Sequence, residues 1–227
     1  MRITREEIMH SAEYMPGDLL LFSYPGGLVP RGIAHVQKGL LLDLGCEDDT
    51  AEYGSSFTHV GMYGTKILDE EGKPMAENGF IVEMTSPHAR IGNWDEVPSG
   101  TVVLVRRPGS WVGGEWRDAD EFKRVIAVQQ GILDAVDSIP YPYTELLTYW
   151  VWHLWIGKLK LGRKFRNIFR DRKRDVCSGS VWRWMYDAGL NRDTEGMTDS
   201  LPEAWYPGRL AVDSTRFRTV VTFSLDG

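Results

Sequence analysis

The sequence predicts an α+β fold. Segments of strand length, rich in branched and aromatic residues, fill the first half of the chain. Apolar residues recur at helical spacing in the second half, and an alternating segment returns at the C-terminus. The 227 residues suit one large domain, and 42% hydrophobic with 26% charged residues is the balance of a globular chain, not a disordered one. With no internal repeat and no low-complexity linker, the expectation is a single domain over 1–227.

The segment 4–13 reads as a short helix, because Thr4 and Glu7 have the spacing of a capping box. Met15-Pro16-Gly17-Asp18 is a turn that feeds an apolar strand over 19–22. The stretch 24–49 holds Pro-Gly-Gly and Pro-Arg-Gly, and reads as mostly loop with one short element. A loop of that length in a compact domain is expected to form one wall of a site. Strands follow at 57–63, 80–84 and 101–106, with a polar turn over 69–73. Helices are predicted over 118–137, where Phe122, Val125, Ile126, Ile132, Leu133 and Val136 share a face, and over 143–156 and 175–188. In the last of these Asp175 is the expected N-cap and Gly189 the expected C′ residue. The alternating segment 216–225 closes the chain as a strand.

Charge and cysteine count narrow the function classes. With 26 basic and 32 acidic residues the net charge is −6, whereas a dedicated nucleic-acid binder is normally basic. Two cysteines make neither a disulfide framework nor a zinc cluster. The charged start MRITREEIMHSAEYM lacks the apolar core of a secretory signal, and no apolar run reaches the roughly 18 residues that span a bilayer. The expectation is a chain cytoplasmic as synthesised, acting on the cell envelope only if released or delivered there.

Cys177 is the candidate nucleophile. It lies two residues past Asp175, at a predicted helix start, where free N–H groups and a partial positive charge favour thiolate over thiol. The same N–H groups can stabilise an oxyanion, and Ser178, Gly179 and Ser180 leave room for a substrate. A buried structural cysteine is the competing reading. His59, in an apolar strand, can supply the base that a cysteine nucleophile needs, or be a satisfied core histidine. Glu83, also in an apolar strand, must be paired or partly exposed, because burial of an unpartnered carboxylate is costly. Paired with a histidine it would orient the ring. His88 is the alternative third residue. Ser178, Tyr141 and Tyr143 are candidates for oxyanion or substrate binding, with helix-start packing as the other role for the tyrosines. Asp18 reads as a turn stabiliser, and Cys46 as incidental.

These residues resemble a known family. Asp175-Val176-Cys177-Ser178-Gly179-Ser180-Val181 is similar to the nucleophile helix of NlpC/P60 cysteine peptidases, with a valine separating the Asp from the Cys. Phe57-Thr58-His59-Val60-Gly61-Met62-Tyr63 resembles their histidine strand, and Met15-Pro16-Gly17-Asp18-Leu19-Leu20-Leu21-Phe22 their Pro-Gly-Asp-Leu strand. Ile139-Pro140-Tyr141-Pro142-Tyr143 looks like the Pro-Tyr segment before the nucleophile. His59 precedes Cys177, which is the order of the circularly permuted, YiiX/YebB-like papain-fold branch. That branch places its third polar residue on the strand after the histidine, where Glu83 stands. The resemblance implies a permuted papain-like α+β fold, with an antiparallel sheet packed against the nucleophile helix. It implies a Cys177–His59–Glu83 triad that hydrolyses an amide through a thioacyl-enzyme without metal or cofactor, and a peptide or peptidoglycan stem as substrate.

One stretch lies outside that pattern. Tyr149, Trp150, Trp152 and Trp155 precede a run over 158–174 with nine Lys or Arg and one acid. Read as an insertion at 146–174, it suits a membrane surface or an anionic polymer without specific nucleic-acid recognition. A core helix followed by a solvated basic loop is the alternative. The permuted branch also contains acyltransferases and lipid hydrolases, so a lipid ester or amide is the second enzymatic expectation. A non-catalytic component of a larger assembly, such as a phage particle, is the third.

Overall fold

Leu19-Leu20-Leu21-Phe22 has no polar residue to turn toward water, so a strand built from it must be covered on both faces. In the computed structural model all four are fully buried, and they form the middle of a sheet. The structure describes residues 2–3, 17–64, 80–85, 88–108, 127, 131, 177, 178, 180, 181, 184, 206–215 and 217–226. Its strands are β1 (Arg2–Ile3), β2 (Leu19–Ser23), β3 (His59–Gly64), β4 (Phe80–Met84), β5 (Ala89–Gly92), β6 (Val102–Pro108) and β7 (Phe217–Leu225). They form one seven-stranded sheet in the order β1-β7-β6-β2-β3-β4-β5. The six strands from β7 to β5 are antiparallel throughout, and β1 adds to β7 in parallel. Together with its helices this is an α+β architecture, as the sequence predicts.

Register decides what shares a face. Phe22 pairs with His59 and with Val103, and Val103 pairs with Phe223. That face carries a core of Leu20, Phe22, Ile81, Trp94, Val103, Val105 and Phe223. On the other face Leu19, Leu21, Val60, Met62, Val82 and Met84 are buried as well. At the far end of β2, Asp18 stands opposite Arg107 and accepts two hydrogen bonds from its guanidinium, at 2.8 and 2.7 Å, with both side chains buried. Asp18 therefore ties two strands together beyond its place in the turn.

The stretch 24–49, expected to be mostly loop, instead contains helix α1 (Leu28–Asp43) and the start of α2 (Asp48–Ser55). Pro30 lies in the first turn of α1, where its missing N–H would have had no intrahelical partner, so it starts the helix instead of breaking it. Gly26 and Gly27, at φ +85° and +93°, let the chain turn from β2 into α1. Asp48 and Asp49 sit in the first turn of α2, where the helix dipole favours acids. Helix α3 (Pro207–Val212) completes a small cluster in which Leu41, Ala51 and Tyr206 pack together. Cys177, Ser178, Ser180, Val181 and Trp184 are helical and buried, as the pattern over 175–188 predicts, and Ala127 and Gly131 are helical within 118–137. The helices expected over 4–13 and 143–156, the turn over 69–73 and the stretch 146–174 lie outside the described residues, as do Asp175 and Gly189. Among the described residues no helix is long and apolar enough to cross a membrane.

Candidate active site

Strand β3 begins at His59, so its ring stands at one end of the sheet on a backbone fixed by pairing to β2. Phe22 and Tyr24 support the ring, with centroids 5.8 and 6.1 Å from it, and stack on each other at 5.9 Å with an interplanar angle of 6°. Glu83 of β4 pairs across the sheet with Gly61, two residues along from His59 and on the same face. The imidazole therefore meets the carboxylate diagonally, with Nε2 of His59 2.6 Å from Oε2 of Glu83. Gly61 keeps this diagonal clear, since a Cβ there would come within 2.8 Å of the Ile81 side chain and 3.4 Å of Glu83 Cβ.

Cys177 hydrogen-bonds to His59. The His59 ring thus lies between the thiol and the Glu83 carboxylate. Backbone N–H groups of Val60 and Ser178 also donate to the sulfur. Burial pushes the Cys177 thiol up, but the imidazolium and these donors outweigh it and hold the thiol below its ordinary value. Burial acts on His59 in the opposite sense and would lower it. The Cys177 thiolate and the Glu83 carboxylate prevail and raise it to about 10. Both shifts favour the thiolate–imidazolium pair over the neutral one, the state in which a cysteine attacks and a histidine can then donate a proton.

Glu83 is almost wholly buried. Burial alone would raise its carboxyl, but His59 and Arg90 hold it below the usual carboxylate value. Two residues near the centre are not evident in the sequence. Arg90 of β5 pairs with Glu83 across the sheet and directs Nε and Nη2 at Oε1, at 2.8 and 2.7 Å. Its strand has only four residues, one of them Gly92, and reads as loop without its partner. Recognition of a hairpin after β4 would have placed residue 90 opposite residue 83. Tyr24 lies just past β2. Burial and the nearby Glu83 and Cys177 charges raise its phenol, so it stays a protonated donor beside the site. The Ser-Tyr-Pro-Gly string there signals only a turn.

The structure thus brings Cys177, Ser178, His59 and Glu83 together. Tyr141 and Tyr143 lie outside the described residues. Glu83, and not His88, is the group hydrogen-bonded to Nε2 of His59; Nδ1 of His88 lies 3.0 Å from the Ala89 carbonyl. Cys46 sits against the helical cluster of Leu41, Ala51 and Tyr206. Among the described residues no group of His, Cys, Asp and Glu is arranged to hold a metal ion. Comparison with models of known protein families, with characterised proteins and with solved structures gives no match to this chain.

Proposed function

We propose that this protein is a cysteine hydrolase of permuted papain-like fold that cleaves an amide bond, with a peptide stem of peptidoglycan as its substrate. The observation that carries the reading is the continuous hydrogen-bonded set Cys177–His59–Glu83, in which the thiol is lowered and the imidazole raised. The resemblance of the cysteine, histidine and Pro-Gly-Asp-Leu segments to permuted NlpC/P60 enzymes supplies the substrate class.

In this mechanism the Cys177 thiolate attacks the carbonyl carbon, and the oxyanion is held by backbone N–H groups at the start of the nucleophile helix. The His59 imidazolium gives its proton to the leaving amine as the C–N bond breaks, which leaves a thioacyl-enzyme and a neutral imidazole. That imidazole takes a proton from water, the hydroxide adds to the thioester, and the acid product departs with the thiolate–imidazolium pair restored. Glu83 keeps the ring oriented through Nε2 and stabilises its charge.

The test is release of amine from peptidoglycan stem peptides by the wild type, Cys177→Ala and His59→Ala, with the rate of iodoacetamide labelling at Cys177 followed in parallel. Expected are hydrolysis by the wild type, none by Cys177→Ala, and a loss of about 10²- to 10⁴-fold in His59→Ala together with slow labelling at neutral pH. An ordinary thiol profile, unchanged by His59→Ala and without hydrolysis, overturns the proposal.

A lipid ester or amide is the second reading. It is favoured by Leu28 and Val29, which are 86% and 57% exposed only a few residues beyond Tyr24. Exposed apolar side chains suit contact with an acyl chain or bilayer interface. Binding to anionic vesicles that is lost in Leu28→Ser, with no turnover of stem peptides, would move this reading to first place.

A further inference from the structure

The site does not end at Glu83. Arg90 directs two N–H groups at Oε1, leaving Oε2 to His59, and its remaining Nη1 reaches Oε2 of Glu96 at 2.6 Å. Glu96 belongs to a single 3₁₀ turn (Trp94–Glu96), fixed where the Asn93 side chain accepts from the Asp95 N–H. Trp94 of the same turn is fully buried beside Phe22, which supports the His59 ring. A cross-strand guanidinium is thus anchored from outside by Glu96. Gly92, on the same side of β5, leaves the space that the clamped carboxylate occupies, since a Cβ there would lie 2.9 Å from Oε1.

Charge gives the clamp a second consequence. Thiolate, imidazolium and carboxylate sum to one negative charge in a site where Cys177 and Glu83 are buried. The titratable and charged groups facing this set among the described residues are Tyr24 beyond β2, Arg90 of β5 and, through Arg90, Glu96. Tyr24 stays neutral, and the Glu96 side chain is half exposed, where solvent screens its charge, so Arg90 supplies the balancing positive charge at the buried carboxylate. We propose that Arg90 is a positioning residue of the reaction, one that fixes Glu83 with Oε2 toward His59 and balances the charge of the Cys177–His59–Glu83 set. Its side chain is 42% exposed on an edge strand, so replacing it leaves the core untouched.

The inference rests on the cysteine-hydrolase reading, and the experiment separates the two. Iodoacetamide labelling of the Cys177 peptide is followed by mass spectrometry against pH, in the wild type, Arg90→Gln and Arg90→Lys, with folding checked by thermal melts. Loss of a nearby positive charge destabilises the thiolate. The acid limb should therefore move upward by about one pH unit in Arg90→Gln. A smaller shift in the same direction is expected in Arg90→Lys, which keeps the charge without the planar fork. An Arg90→Gln profile that superimposes on the wild type overturns the proposal. Should the glutamine variant unfold, the lysine variant decides alone: an upward shift supports the clamp and a superimposed profile overturns it. An ordinary thiol profile in the wild type itself defeats both readings, because the Cys177–His59 pair would not be assembled.

Discussion

Glu83 can serve as the orienting carboxylate because two neighbouring positions have no side chain. Gly61 clears its diagonal to His59, and Gly92 clears the space around Oε1. Oε1 is the end of a flexible side chain, yet it cannot swing away freely, because Arg90 and His59 hold the carboxylate from two sides. A methyl at Gly92 therefore acts on the site before it acts on the fold. Gly92→Ala is expected to cost about 1 kcal/mol or a little more in stability. It should lower kcat/KM of the proposed hydrolysis by about tenfold to a hundredfold through the displaced carboxylate. Thermal melts and hydrolysis rates check both figures, and a wild-type rate would show that Glu83 relaxes around the methyl without losing its hold on His59.

At the scale of elements, the strand that presents His59 is steadied by a helix. The buried Gln37 of α1 donates Nε2 to the Phe57 carbonyl at 3.1 Å, and its Oε1 accepts from the Gly208 N–H of α3 at 2.5 Å. One side chain thus joins α1, α3 and the residues that lead into β3. Gln37→Leu orphans two buried backbone groups and is expected to cost about 3 kcal/mol. For a chain of this size that lowers Tm by roughly 6–12 °C, which a melt would measure. This bridge was not legible in the sequence, because α1 itself was not. Its Pro and Gly residues read as breakers, and what offsets them is tertiary packing against α2 and α3. The strands carrying His59 and Glu83 were legible because long apolar runs bounded by turns admit few other readings. Cys177 stood out in the sequence through its place two residues past Asp175, at an expected helix start, and through the small residues that follow it. Arg90 and β5 were hidden because a four-residue edge strand has no periodicity to show until its partner is known.

At the scale of the whole molecule, the sheet separates stability from chemistry. Asp18 and Arg107 close one end of β2 and β6 with a buried ion pair, while Tyr24, His59, Glu83 and Arg90 gather at the other end of β2 to β5. The helix bearing Cys177 meets that second end, so strand order and the docking of this helix together gather residues distant in the chain. The assembled pair has a window of pH whose limits follow from the directions of its shifts. Cys177 is lowered, so the thiolate forms below the ordinary thiol range and is lost only as pH falls through that lowered value. His59 is raised, so the imidazolium persists through neutral pH and is lost as pH rises through about 10. The proposed amide hydrolysis needs both the nucleophile and the proton donor, and its kcat/KM should follow a bell with the alkaline limb near 10. Alkylation needs only the thiolate, so its rate should share the acid limb and show no fall above the alkaline one. Measuring both profiles on one preparation separates the two roles: an alkaline fall in hydrolysis alone assigns that limb to His59 as proton donor, whereas a parallel fall in alkylation would mean that the site itself comes apart at high pH.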